Sequence, residues 1–491
     1  MIQNMITKKP VGFYVLLFAA MWERFSYYGV RALLTLYITK QLFLNDSSTY
    51  GIYGAYGAMI YSSTVIGGYI ADRFIGSRFA IILGSFLAVM GHVTIILPIF
   101  LSFIPLDLSF FTGLSFIIIG TGFFKGNIAA LTGNLQKKFD ICQDSGFTLF
   151  HMAANLGSCA APIICGVIGE KIGWHYGFSF AGLGMTIGCM ILYFGRKHIV
   201  DQEEEILKLN RDISFIRGIF IAAALIVIPF IVYCFYHLSI STYILNGIGI
   251  ITASYLVYAA LTSPKEEKKC IFALMAIFPF LTTFFACFEQ SGSLVNIFTD
   301  RHIDREVFGL QIPTSWFLSL NPIIVIILAP LFSKLWIWLM KHQLNPLMPI
   351  KLSFGLFQVG LGFLALYLGI HYANEQGVVS IVWIILAYLL HSTGELCLTP
   401  VSLAMISKLS PPRLMGFMMS CFYLSVAFAH IVGSGISKTA SQFHHNINVE
   451  HLKSLYNFSS AFKVFIVLPM IAGLLLLLGY PIYKNFYKRY S

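Results

Sequence analysis

Trp22-Glu23-Arg24-Phe25-Ser26-Tyr27-Tyr28-Gly29-Val30-Arg31 lies inside an apolar run long enough to cross a bilayer, yet it carries three charges. An ionisable side chain at the centre of a membrane helix costs roughly 2.5 to 3.5 kcal/mol on insertion scales, so it survives mainly where it lines a hydrated path or meets a partner. The stretch therefore reads as a polar cavity wall in a bundle of membrane helices. Partners of both signs lie in other apolar segments, namely Lys125, Glu289 and Glu395.

The rest of the chain fits that bundle. It has 491 residues, 57% of them hydrophobic and only 11% charged, too apolar a balance for a cytosolic enzyme. A span needs about 20 mostly apolar residues, and that rule marks segments near 12–40, 50–71, 79–101, 109–133, 146–169 and 176–195. A second set follows near 213–236, 242–262, 270–299, 315–340, 350–370, 377–406, 414–436 and 460–483. The runs are continuous rather than alternating, which argues for helices and against membrane strands. The expected fold is an all-α membrane protein of fourteen transmembrane helices.

Basic residues set the orientation. Lys8, Lys9, Arg73, Arg78, Lys137, Lys138, Arg196, Lys197, Lys208, Arg211, Arg217, Lys265, Lys268, Lys269, Lys334, Lys341, Lys351, Lys408, Arg413, Lys484, Lys488 and Arg489 all fall on one side. By the positive-inside rule that side, with about 22 Lys and Arg against about 7 opposite, is cytoplasmic, and so are both termini. The net charge of +11 thus reports topology and affinity for anionic lipid headgroups, with no basic-aromatic module for nucleic acid. The nine cysteines lack paired spacing and read as reduced packing residues, with no disulfide framework and no metal site. No small-residue cleavage site precedes the first charged segment, so the first span is expected to be retained.

One composition shift divides the chain. Residues 195–217 hold Arg196-Lys197-His198 and Asp201-Gln202-Glu203-Glu204-Glu205, a cytoplasmic linker with some helical character. Six spans precede it and six close the chain. Between them a hairpin near 213–262, without mid-membrane charge, reads as peripheral. The expected division is an N-terminal six-helix bundle over 1–195, linker and inserted hairpin over 196–268, and a C-terminal six-helix bundle over 269–491. Six plus six spans around a cytoplasmic linker is the layout of major facilitator transporters, whose related halves enclose a midplane site. Gly67-Gly68-Tyr69-Ile70-Ala71-Asp72-Arg73-Phe74-Ile75-Gly76-Ser77-Arg78, at the turn after the second span, resembles that superfamily's loop signature. There Asp72, beside Arg73, would take hydrogen bonds from a neighbouring helix end and lose them as the halves rock, a gating role; the alternative is a solvated turn with a surface charge pair.

On a helix Arg24, Tyr27 or Tyr28, and Arg31 recur at i, i+3 or i+4, and i+7 and share a face. Two guanidiniums beside two phenols suit a carboxylate, which arginine grips bidentately while tyrosine donates a further bond. Glu23 could pair with arginine or accept a proton. Lys125, in Gly120-Thr121-Gly122-Phe123-Phe124-Lys125-Gly126-Asn127, is too deep to snorkel easily and needs a counterion. Glu289 and Glu395 are equally isolated in the second half. Ion pairs across the two halves, such as Arg31 with Glu289 and Lys125 with Glu395, would hold a gate until ligand or proton competes, since a buried glutamate that loses its cation favours protonation. The alternative is a set of ion pairs that glue helices.

These segments together resemble the proton-dependent oligopeptide transporter family, a branch of the major facilitator superfamily. Its first-span signature stands here as Glu23-Arg24-Phe25-Ser26-Tyr27-Tyr28-Gly29, and its fifth-span pattern resembles Phe147-Thr148-Leu149-Phe150-His151-Met152-Ala153-Ala154-Asn155-Leu156-Gly157. Later marks are Phe288-Glu289-Gln290, Trp316-Phe317-Leu318-Ser319-Leu320-Asn321-Pro322 and Gly394-Glu395-Leu396-Cys397-Leu398-Thr399-Pro400. The resemblance implies a bacterial plasma-membrane symporter, taking up di- and tripeptides with protons by alternating access, with a monomeric transport unit and no cofactor beyond the proton as coupling ion. It implies that Arg31 and Lys125 receive the peptide carboxylate, that Glu395, Asn155 and Asn321 hold its amino end and backbone, and that Tyr27, Tyr28 and Tyr61 line the pocket. Glu23, Arg24, Glu289 and Glu395 would serve proton coupling, Glu289 also facing substrate.

The chain departs from the family pattern at several positions. Ala20 stands where the signature has its first glutamate, Gly54 where animal members have a histidine, Gly126 and Thr64 where proline is usual, and Phe422 where tryptophan is frequent. Ala20 raises a rival, a proton-uncoupled or altered-specificity transporter of modified peptides or other small anions; another rival is a non-transporting peptide receptor. His151 is either a titrating pocket residue or a packing histidine, while His92, His391 and His430 read as membrane-facing or helix-packing. His391 and Glu395 are four apart, but no third ligand follows, and no nucleophile has a neighbouring base, so neither a metalloprotease nor another enzyme is read.

Overall fold

The structure, a computed structural model, describes residues 10–138, 143–199, 213–442 and 450–480. The basic residues Lys8, Lys9, Lys208, Arg211, Lys484, Lys488 and Arg489 and the acidic run 201–205 lie outside the described residues. By their contacts the residues group into two units. One comprises residues up to Phe43 and Met59–Ser241, the other Leu44–Ala58 and Thr242–Ser491.

The first unit is built from α1 (Val11–Lys40), the later part of α2 (Asp46–Ile70), α3 (Ser77–Phe100), α4 (Leu106–Lys138), α5 (Gln143–Lys171), α6 (Trp174–Gly195) and α7 (Ile213–Tyr236). Its core is a dry cluster with Phe13, Leu16, Ala20, Phe124, Leu131 and Met185. Helices α3 and α4 pack most closely, because Gly84 and Gly91 face Gly120 and Gly113 and a Cβ at any of them would overlap the opposing backbone. Without a hydrophobic drive between helices in lipid, small residues that admit such close approach are what hold them. Between α2 and α3 the chain makes a π-helical turn at Ala71–Ile75, and Gly76, at φ +85°, reverses it. That turn is clasped by α7: Arg217 donates from Nε and Nη2 to the Ile75 carbonyl at 3.2 and 2.9 Å. Its guanidinium also lies 4.4 Å over the Phe79 ring. At the far end of α7 the Tyr236 hydroxyl donates to Asp107 at 2.8 Å.

The second unit holds α8 (Leu238–Leu261), α9 (Lys265–Phe288), α10 (Leu294–His302), α11 (Leu320–Lys341), α12 (Met348–His371), α13 (Ile381–Leu409), α14 (Met415–Gln442) and α15 (Glu450–Leu478). A short antiparallel hairpin, β1 (Glu306–Val307) and β2 (Leu310–Gln311), turns on Phe308-Gly309, both at positive φ. Such two-residue turns match the twist of the strands they join. Packed rings mark the core, Phe363 stacked 4.9 Å from Phe465 and Phe298 edge to face with Phe462 at 5.1 Å. The early residues of α2 belong here through Asp46, which receives Arg301 bidentately at 2.7 and 2.8 Å.

The described residues thus contain fourteen long helices at the places expected from the sequence. Twelve meet a strict length and hydropathy test for membrane spans, α9 and α10 counting as one with the turn between them. The other two are α1 and α2, whose charges, tyrosines, serines and glycines lower their apolarity. The chain is a multi-pass membrane protein whose long elements are all helices. One expected span differs: that near 270–299 breaks at a 3-10 turn, Glu289–Gly292, after which Ser293 leaves helical geometry at φ −126°, ψ −95°. The side chain of Gln290 secures the break, donating to the Ala286 carbonyl at 2.8 Å and accepting from Ser293 and Ser437 at 2.7 and 2.9 Å.

Candidate functional site

In the first unit α1 presents the expected polar stripe. Arg31 is only 5% exposed, and its guanidinium lies 5.6 Å from the Tyr28 ring. From α4, Lys125 places its ammonium 4.0 Å over the Tyr61 ring and 5.4 Å from that of Tyr27. Tyr27 and Tyr28 meet edge to face at 5.3 Å, so Tyr61, Lys125, Tyr27, Tyr28 and Arg31 form one connected set. An aromatic face attracts a cation without neutralising it. The set therefore holds the cationic groups of Arg31 and Lys125 against aromatic rings.

Arg24 turns to its neighbour, Nε lying 3.7 Å from Glu23 Oε2. The other Glu23 oxygen accepts no hydrogen bond among the described residues, and Glu23 lines a small, mostly apolar cavity with Ser26, Tyr27, Thr121, Phe124 and Met185. Behind it the Ser26 hydroxyl and His92 Nε2 are 2.7 Å apart, which makes His92 a buried hydrogen-bonded packing residue rather than a membrane-facing one. Asn155 is half-buried on α5 and His151, on the same helix, is exposed. Asp72 and Arg73 are exposed on the π-helical turn, apart from the tyrosine set.

In the second unit the Asn321 amide donates to Glu395 Oε2 at 3.0 Å and to Ser392 Oγ at 3.1 Å. Asn321 sits in the first turn of α11, where Pro322 follows without breaking the helix, because the first-turn N–H groups lack intrahelical partners anyway. Glu289 is 4% exposed in the 3-10 turn; its backbone carbonyl accepts the Tyr53 hydroxyl at 3.1 Å, and its Oε2 lies 3.8 Å from His430 Nε2. His391 packs on Phe363 at 5.0 Å.

The structure thus joins Tyr27, Tyr28, Tyr61, Lys125 and Arg31 in one unit, pairs Glu23 with Arg24 beside them, and joins Asn321 with Glu395 in the other. Sequence reasoning missed Ser392, Tyr53 and the position of His430. Ser392 carried a signal, being three residues before Glu395 on one helix face. Tyr53 and His430 carried none, since what brings them to Glu289 is tertiary packing.

The PTR2 family model, described as the POT family, matches residues 78–452. The chain is 32% identical over 449 residues to the uncharacterized transporter YclF of Bacillus subtilis (strain 168), covering 87% of each protein. It is 32% identical over 443 residues to the peptide transporter YePEPT of Yersinia enterocolitica, 85% of each. With the di-/tripeptide transporter of Lactococcus lactis it shares 30% identity over 462 residues, 89% of this chain and 91% of the other. Among solved structures it is similar to a peptide transporter POT in complex with sulfate, with a TM-score of 0.81 and 30% identity over 97% of this chain and 95% of that one. A POT family transporter in complex with 5-aminolevulinic acid gives 0.79 at 28% identity, over 97% of each.

Proposed function

The chain belongs to the POT family, and from that membership we propose that it takes up di- and tripeptides together with protons, by alternating access. The observation that carries the reading is the Lys125–Tyr61–Tyr27 and Arg31–Tyr28 set in one unit, with the Glu395–Asn321–Ser392 group in the other. A peptide is a zwitterion, and fixed charges of opposite sign are what its two ends require. In this reading Arg31 and Lys125 receive the carboxylate, Tyr27, Tyr28 and Tyr61 line the pocket, and Glu395, Asn321 and Asn155 take the amino end and backbone. Glu23, Arg24, Glu289 and Glu395 handle the proton, and Asp72 and Arg73 gate. The names of the Yersinia and Lactococcus relatives support a peptide substrate.

Within the same proposal the protein sits in a bacterial inner membrane with both termini in the cytoplasm, its basic residues meeting anionic lipid headgroups, and works as a monomeric unit. The test is uptake of the dipeptide Ala-Ala into proteoliposomes under an imposed proton gradient. Accumulation that collapses with the gradient is the expected result. A second reading, peptide transport without proton drive, is favoured by one observation: residue 20, buried beside Phe13, Leu16, Phe124 and Met185, is an alanine and itself supplies no carboxylate. Uptake indifferent to the gradient would select it.

A further inference from the structure

Lys351 stands in the first turn of α12, the end of a helix that favours negative charge. The residue is only 9% exposed, yet its ammonium is not sealed off. That ammonium lies 4.1 Å from the ring of Trp336, contributed by α11. Besides the Cys397 thiol, the titratable group acting on it is Lys408 in the last turn of α13, a like charge. Among the described residues neither lysine makes an ion pair. Nor does the chain supply a carboxylate nearby in sequence, since no Asp or Glu falls between Glu306 and Glu375 or between Glu395 and Glu450. At the same end of the second unit, Glu266 and Glu267 of α9 face Lys269 and Arg413. A buried ammonium without a counterion is costly, and an aromatic face offsets only part of that cost.

The surroundings are those of a membrane interface. Trp336 and Trp338 close α11 together with Lys334 and Lys341, and tryptophan and basic residues gather in this way at headgroup level. Further from this end, Phe354 on α12 and Leu331 on α11 are exposed. Phe354 follows Lys351 by three residues and shares its face. A soluble anion gains nothing from exposed apolar side chains, whereas the chains of a lipid do.

We propose that α11, α12 and α13 build, at the end read as cytoplasmic, a site for the phosphate of an anionic phospholipid of the phosphatidylglycerol type, with Lys351 and Lys408 as its ligands and Phe354 and Leu331 against its acyl chains. A phosphodiester brings one negative charge to a place that holds two positive ones, and each ammonium gives it a charge-assisted hydrogen bond. Basic pockets between membrane helices on the cytoplasmic side are where such headgroups settle. The position also bears on function, because α11 carries Asn321 and α13 carries Glu395 and Ser392. A headgroup that ties the ends of these helices together would hold the spacing of the polar group they share. The inference stands whatever the protein transports.

The test uses the full-length protein in dodecylmaltoside micelles, which contain no phosphate. Native mass spectrometry follows the first molecule of dioleoyl-phosphatidylglycerol bound, and melting temperature is measured with that lipid, with dioleoyl-phosphatidylcholine and with inorganic phosphate. The expected result is a phosphatidylglycerol held roughly tenfold more tightly than phosphatidylcholine and a melting temperature that rises with the former alone. Lys351→Met keeps an apolar stem against Trp336 and removes the charge, and should weaken that lipid roughly tenfold or more. Lys408→Gln should weaken it roughly fivefold, the worth of one basic residue at an anionic surface; since Lys408 is exposed, this variant decides the matter should Lys351→Met not fold. Equal binding of phosphatidylglycerol by wild type and the variants, or no preference over phosphatidylcholine, overturns the proposal. A melting temperature raised by inorganic phosphate and no longer raised in Lys351→Met, with phosphatidylglycerol binding unaffected, overturns it too and assigns the lysines to a soluble anion.

Discussion

Two tyrosine faces meet the ammonium of Lys125 in mid-span. A desolvated contact of that kind is worth about 2 kcal/mol, so Tyr61→Leu is expected to weaken Ala-Ala binding roughly thirtyfold, whereas Tyr61→Phe keeps the ring and most of the affinity. Lys125→Ala removes the charge and should abolish uptake in a folded protein; measured binding and uptake in the three variants check both statements. Ala20 poses the converse case. It is 3% exposed beside Phe13, Leu16, Phe124 and Met185 and one turn before Arg24, so Ala20→Glu would bury a second carboxyl next to the one cation that Glu23 already holds, at a cost in stability. The expected outcome is a lower melting temperature and no gain in gradient-driven accumulation. Lys125, Arg31, Glu289 and Glu395 were legible in the sequence because a charge in an apolar run stands out. The place of His430 beside Glu289 was not, because it depends on the missing side chain of Gly57, which only the packing of α2 on α14 reveals.

Helices were legible as elements for the same reason that makes membrane sequences simple: every backbone group must be satisfied internally, so a continuous apolar run has little choice but a helix. What escaped was the break at Glu289–Gly292, where Gly292 and flanking serines weaken the helix and the Gln290 side chain takes over its hydrogen bonds. A 3-10 turn inside a long helix commonly marks a functional hinge, and here it carries the very glutamate proposed to bind a proton. The attachment of α7 was equally invisible, since Arg217 read simply as one more cytoplasmic charge. Its two hydrogen bonds to Ile75 and its stacking on Phe79 tie the inserted helix to the turn that holds Asp72 and Arg73. Arg217→Ala should cost about 1–3 kcal/mol and raise amide exchange across 71–76, read by mass spectrometry; Arg217→Lys cannot reproduce the two-pronged bond and should rescue little. Along α3 and α4, Gly84→Leu meets backbone rather than a yielding side chain, and the expected result is failure of the first unit to fold.

At the scale of the whole molecule, the expected substrate-binding ions differ in sign between the units: Arg31 and Lys125 against aromatic rings in one, Glu289 and Glu395 with imidazole and amide neighbours in the other. Net charge and positive-inside counting could reveal topology but not this division, which follows from which buried groups each unit can satisfy. It leads to a thermodynamic prediction that needs no mutation. A ligand that binds the folded state alone stabilises it by RT ln(1 + [L]/Kd), about 2.7 kcal/mol at a hundredfold excess over Kd. If Ala-Ala binding takes up a proton, its Kd falls as pH falls. For one fully linked proton the change is at most a hundredfold between pH 8 and pH 6, or about 2.7 kcal/mol. Thermal unfolding of the purified protein with and without Ala-Ala should therefore show a larger increment at pH 6 than at pH 8 for the same peptide concentration. An equal increment at both pH values would mean that peptide binds without a proton, and a zero increment at both would mean that this dipeptide is not a ligand.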